Sequence, residues 1–194
     1  MPAPAFFYDF SSPYSYLAAH RVDDVLPERP VWRPISFGFV VQRHGKVPWS
    51  FAEDRSAHFR EIERRAEDRG LPPVRYPEGW PAASYSLAPL RAAVLAEEAG
   101  LLREVSRALY GVIFAEGRAL NDMEAVLDGA ERGGMDREEV RSGIERQEVK
   151  DRLRSATDEA LALGVSGVPT VSVGKELFWG DDRLEDAAAS LAAA

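Results

Sequence analysis

The chain has no cysteine among its 194 residues. That absence excludes disulfides, thiolate metal sites and any thiol chemistry of the protein's own, so sulfur reactivity has to arrive with a ligand. Histidine is nearly as scarce: His20, His44 and His58 stand apart without metal-ligand spacing, and no metal site is expected. Basic charge is in short supply too. With 24 Lys and Arg against 32 Asp and Glu the formal charge is −8, which argues against a nucleic-acid or anionic-membrane partner. No apolar run approaches a membrane span, and Met1-Pro2-Ala3-Pro4 lacks the charged start and apolar core of a secretion signal, so a cytoplasmic location is expected. Internal repeats and low-complexity segments are also missing.

What is there has ordinary globular balance, 45% hydrophobic and 29% charged, on a chain long enough for a full core. The first stretch, Phe6 to Phe10, is a mostly aromatic buried-strand signal. Ser11, Ser12 and Pro13 follow, and proline suits the first turn of a helix, which is expected to run from Pro13 through Leu17 and Val22 to Leu26. Ser12 is then the N-cap. A hydroxyl at that position either caps the helix and nothing more, or stabilises an anion brought against the unpaired N–H groups and the positive end of the helix dipole.

At the far end, Gly164 to Val173 reads as a glycine-rich turn, a Val168-Pro169 bond and a short strand. Proline entering a strand is confined to an edge, a first position or a bulge, and a cis bond is one accommodation. Gly174-Lys175 turns the chain into a second short strand, Glu176 to Trp179, and an acidic cap at Asp181 or Asp182 opens a final helix through Leu191. Near the start, Val31 to Ile35 gives a strand parallel to the first, with Pro34 placing it at an edge or a strand end. Between these ends the pattern is helical. Segments beginning at Phe51, at Ser84 or Ser86, at Leu101, at Asn121-Asp122 and at Asp136, and a last one ending at Gly164, carry apolar residues at helical spacing. Residues 36–49 are the least legible, a short helix or a buried turn.

Strand, Ser12-Pro13-Tyr14-Ser15 at a helix start, helical middle, Gly167-Val168-Pro169-Thr170, hairpin and Trp179-Gly180-Asp181-Asp182-Arg183-Leu184 together resemble the 2-hydroxychromene-2-carboxylate isomerases and their relatives, the kappa-class glutathione transferases. The resemblance implies an α/β fold, a thioredoxin-like domain of the DsbA-like branch split into residues 1–40 and 161–194, with an all-helical insertion over 41–160. Redox members of that fold open the helix with Cys-Pro-x-Cys; serines stand at both positions here.

The resemblance also implies a chemistry. Glutathione would be the cofactor, its cysteine paired with the backbone of Val168 before a cis Pro169, an edge contact that needs no special side chain. Ser12, rather than Ser11, would be catalytic, donating to the thiolate and lowering the thiol's pKa. Ser15 would be a helix-interior serine. The γ-glutamyl end would lie at Asp181 and Asp182, with at least one of the two acting only as a helix cap, and the glycine carboxylate would meet Arg55. The family's usual Gly-Asn is replaced by Gly45-Lys46, and Lys46 also reaches for a carboxylate. The aromatics Phe10, Tyr14, Trp49, Trp80 and Trp179 suit an aryl substrate, although each also reads as core. The implied activity, in aromatic catabolism, is a glutathione-dependent isomerisation by thiolate addition, ring opening and elimination. The same thiolate would serve a transferase that conjugates electrophiles, and the same backbone edge a non-catalytic thiol-peptide binding module. Relatives pair into homodimers, and the loop Tyr76 to Pro81 is a candidate interface.

Overall fold

The computed structural model describes residues 2–193; Met1, which opens the segment weighed above as a secretion signal, and Ala194 lie outside them. Four strands form one mixed sheet in the order β2-β1-β3-β4, with β1 Ala5–Tyr8, β2 Val31–Pro34, β3 Thr170–Val173 and β4 Glu176–Trp179. β1 lies parallel to β2, with Phe6 opposite Trp32, and antiparallel to β3, with Phe6 opposite Val171. β3 and β4 are the expected hairpin, closed at Val173 and Glu176. Pro34 is the last residue of an edge strand, where its missing N–H interrupts no ladder.

The helices are α1 Pro13–Ala19, α2 Val22–Val25, α3 Phe37–His44, α4 Ser56–Asp68, α5 Leu87–Glu98, α6 Leu102–Tyr110, α7 Met123–Arg132, α8 Arg137–Gly143, α9 Gln147–Ala162 and α10 Leu184–Ala192. Among the described residues no helix is long and apolar enough to cross a membrane. The sheet and α1 face the helices through an aromatic core in which Phe6, Tyr8, Phe10, Tyr16, Trp32 and Tyr110 are almost fully enclosed. Phe6 stacks on Tyr8 at 5.3 Å, and both meet the edge of Trp32. Burying each such ring stabilises the fold by roughly 2–3 kcal/mol.

Three expected helices begin or end differently. The helix expected over Pro13 to Leu26 breaks after Ala19, because the Ala19 carbonyl accepts from the Arg107 guanidinium at 3.0 Å instead of continuing the helical ladder. The one expected from Phe51 starts at Ser56: Trp49–Phe51 is a single 3-10 turn, and the Asp54 carboxylate accepts the Ser56 N–H at 2.9 Å to begin the new helix. The final helix opens through a 3-10 turn, Asp181–Arg183, and neither aspartate caps it with its side chain.

Candidate active site

A concave cavity of about 860 Å³ opens beyond the end of β1, walled by the start of α1, by α3, by the turn at Trp49, by α4 and by the loops that flank β3 and β4. Ser12 lies in its floor. The Ser12 Oγ accepts the Ser15 N–H at 3.2 Å, which is the cap, and faces the Val168 carbonyl at 3.5 Å, at the outer limit of a hydrogen bond. Its proton is therefore only loosely held and free to turn toward a better acceptor. Residues 156 apart in sequence meet here, with Ser12 only 9% exposed. Ser15 is fully buried inside α1, and its hydroxyl finds no partner among the described residues.

The Val168–Pro169 bond is cis, and so is Trp80–Pro81. Pro169 lends its carbonyl to the Gly180 N–H at 2.9 Å, tying the strand entrance to the loop after β4. Among the described residues nothing accepts the Val168 N–H. Gly167 has no room for a side chain, since a Cβ would run into the Trp179 indole. Gly180, at φ 126°, takes a backbone conformation that a side chain disfavours.

Beneath Ser12 sits Asp9, fully buried. Its Oδ1 accepts from the Ser11 N–H at 2.7 Å, and its Oδ2 from the Phe37 N–H at 2.7 Å and the Ser86 hydroxyl at 3.0 Å. One carboxyl thus joins the turn before Ser12, the first residue of α3 and the cap position of α5. Burial raises the Asp9 pKa, while these donors oppose the rise.

The acidic pair after β4 divides. The Asp181 carboxylate is enclosed and fully engaged by Arg65 at 3.0 Å and by both Arg69 nitrogens at 2.8 and 2.9 Å. It holds α4 to this loop and has no free oxygen for a ligand. Asp182 is exposed and lines the cavity. Lys46 also lines it, with its ammonium 5.9 Å from the Trp179 ring. Arg55 does not: its guanidinium donates to the Ser50 carbonyl at 3.2 Å and lies over the Phe59 ring. The cavity's cation from α4 is Arg65 instead.

Of the five aromatics singled out, Phe10 is core, and Tyr14, Trp49, Trp80 and Trp179 line the cavity. The Tyr14 hydroxyl and His58 Nδ1 share a 2.8 Å hydrogen bond, and His58 stacks on Trp49 at 4.2 Å. Desolvation raises the Tyr14 pKa, with Arg65 over its ring pulling the other way. The Trp80 indole donates to the Ser11 carbonyl at 3.0 Å, and Tyr76 packs on Trp80 and Phe59, so this loop's two aromatic rings turn onto the chain's own cavity wall. Of the eight exposed large hydrophobics among the described residues, Phe39, Val47, Phe51, Tyr85, Leu87 and Trp179 surround this mouth. A contiguous apolar rim of that kind marks a binding surface.

Asp9, Arg65 and Arg69 have no site role on sequence alone, His58 enters there only as a histidine without metal-ligand spacing, and Ser86 only as a helix start. The helical spacing of His58, Arg65 and Arg69, seven and then four residues apart, was the local signal that these three share a face.

The family model described as DSBA-like thioredoxin domain matches residues 5–192. Among curated proteins, a 2-hydroxychromene-2-carboxylate isomerase of Pseudomonas putida is 27% identical, covering 92% of this chain and 89% of that relative. Glutathione S-transferase kappa 1 of Homo sapiens is 23% identical, covering 92% and 86%. Among solved structures, one named 2-hydroxychromene-2-carboxylate isomerase superposes with a TM-score of 0.82 at 22% identity, over 98% of this chain and 95% of that one. These likenesses extend over the sheet, the helical middle and both ends of the cavity.

Proposed function

Because the chain belongs to the DSBA-like thioredoxin family, we propose that it is a glutathione-dependent isomerase of an aryl acid of the chromene-carboxylate type. The observation that carries this reading is the meeting of the Ser12 hydroxyl with the backbone of Val168, at a site without cysteine. When bound, glutathione would supply the nucleophilic sulfur that this chain lacks. The cavity's groups fit it: the Val168 N–H, unpaired among the described residues, for its peptide, Asp182, exposed and only 3.9 Å from the Arg65 guanidinium, for its ammonium, and Lys46 for a carboxylate. Asp181, read from sequence as a ligand contact, acts here through Arg65 and Arg69 as a positioning residue. Arg55 has no part in this reading.

Ser12 turns its hydroxyl proton from the Val168 carbonyl toward sulfur, and so holds the thiol in its anionic form. The rim of Phe39, Phe51, Tyr85 and Trp179 covers the aryl rings of the acceptor and excludes water from its electrophilic carbon. A transferase is the second reading, favoured by the kappa-class relative; the same Ser12 and Val168 would serve it unchanged.

Turnover of 2-hydroxychromene-2-carboxylate with glutathione, set beside conjugation of an electrophilic arene, separates the two. Ser12→Ala is expected to lower turnover by about 10- to 1000-fold, as loss of a single anion-stabilising donor does. It should also raise the bound thiol's pKa, read from its ultraviolet absorbance, while the lost cap costs only about 1 kcal/mol in thermal unfolding. Parental turnover and an unshifted thiol titration in that variant would reduce Ser12 to a cap.

A further inference from the structure

We propose that Tyr14 and His58 form the proton relay of this site, the proton entering at the imidazole Nε2 and leaving from the Tyr14 phenol. The inference rests on the isomerase reading and assigns it a proton path. Opening a cyclic hemiketal moves one proton between two oxygens. As the ring C–O bond breaks, its electron pair stays on the aryl oxygen, and the hemiketal hydroxyl loses its proton to become a carbonyl. The aryl oxide then has to gain a proton. Nothing is oxidised or reduced, and no further reactant is needed.

His58 and Tyr14 line the same cavity as Ser12. Their 2.8 Å hydrogen bond engages Nδ1, and among the described residues no partner takes Nε2. In the tautomer whose Nδ1–H donates to the phenol oxygen, Nε2 presents a lone pair to the cavity and the phenol proton is free to be given. Nε2 takes the hemiketal proton, the Nδ1 proton passes to the phenol oxygen, and the phenol proton passes to the aryl oxide. The imidazole is left as its other tautomer. Half-buried, it resets by exchange with water.

The surroundings suit the task. Trp49 stacks on the imidazole and meets the Tyr14 ring edge-on at 5.7 Å, so two aromatic contacts fix the geometry of the pair. Desolvation keeps the phenol protonated at rest, so Tyr14 gives up its proton only as another arrives. The charged groups facing it are Arg65 over its ring and, farther off, Glu61, Asp181 and Asp182. The cation next to the phenol is thus balanced by carboxylates.

Tyr14→Phe and His58→Gln test the relay. Each is expected to lower kcat at neutral pH by about 100-fold or more, the scale of a lost general acid or base. Both should leave the KM for glutathione and the ultraviolet titration of the bound thiol at parental values, in contrast to Ser12→Ala. In the ligand-free protein, Tyr14→Phe should move the Nδ1 resonance of His58 in nitrogen-15 spectra. Parental kcat in either variant, or an unmoved Nδ1 resonance, would overturn the relay. Were His58→Gln to melt early, Tyr14→Phe decides, since it keeps the ring against Trp49. No turnover of the chromene carboxylate by the parent protein would defeat the isomerase reading and the relay with it; parental turnover indifferent to both substitutions defeats the relay alone.

Discussion

Asp9 accepts three hydrogen bonds in full burial, and among the described residues no lysine or arginine pairs with it. Its worth lies in the donors it satisfies. Asp9→Ala would strand the Ser11 and Phe37 N–H groups and the Ser86 hydroxyl. At about 1 kcal/mol or more for each stranded donor, the loss should be about 3 kcal/mol or greater in urea unfolding. Asp9→Asn keeps one acceptor and should lose less. The pH response separates the two properties of the group. With its folded pKa raised above the unfolded one, the native state holds the proton longer, so stability falls as pH rises from the ordinary carboxyl range through the raised value. Asp9→Asn should erase that slope. Nothing near Asp9 in sequence announces this role, because two of its three donors come from 28 and 77 residues away. Ser12 and Val168 were legible for the opposite reason: each belongs to a short motif whose backbone geometry travels with it, and the two motifs resemble one family only when taken together.

Helix α4 is the element that converts the fold into a site. Its cavity-facing side supplies His58 and Arg65, and one turn later Arg69, which with Arg65 clamps Asp181 and fixes the loop after β4. Asp181→Ala would leave two guanidinium groups without their shared anion. Fully enclosed pairs lose about 3–5 kcal/mol when broken, and because both arginines still touch water the expected cost is nearer 2–3 kcal/mol. Hydrogen exchange should localise the damage, with faster exchange over residues 181–192 and at the end of α4, and little change in β1. Arg69→Ala should be milder, since Arg65 still holds one oxygen. The existence of α4 and its stop near Gly70 were legible from apolar period and glycine, but its start was not, since an aspartate turn at Asp54 outweighed the apolar Phe51. The break after Ala19 was equally hidden, because the group that causes it, the Arg107 guanidinium, comes from α6. The four strands, the parallel pairing of β1 with β2 and the closing hairpin followed from local signals, whereas the pairing of β1 with β3 joins residues more than 160 apart and carried no such signal.

Across the whole molecule, the acid side of the stability curve is shaped by a second histidine. His20 lies edge-on to Tyr16 at 5.0 Å, with its Nε2 buried and unpartnered among the described residues. Burial first, and the nearby Arg107 second, push its pKa down to about 4. The unfolded chain takes up the proton first, near the ordinary value of about 6.5. Stability from this group is therefore full above that pH and drains as pH falls toward about 4. His20→Phe should flatten that part of the curve in urea titrations across the acidic range, and an unchanged slope would mean the imidazole reaches water more freely than its packing allows. The tryptophans divide along another line. Trp32 is sealed in the core, whereas Trp49, Trp80 and Trp179 line the cavity, so three of the four indoles stand around one opening. The protein's intrinsic fluorescence is in large part light from its own site. Because Trp49 lies flat against His58, with ring centroids 4.2 Å apart, the emitter nearest the Tyr14–His58 pair sits where an arriving ligand would change its light.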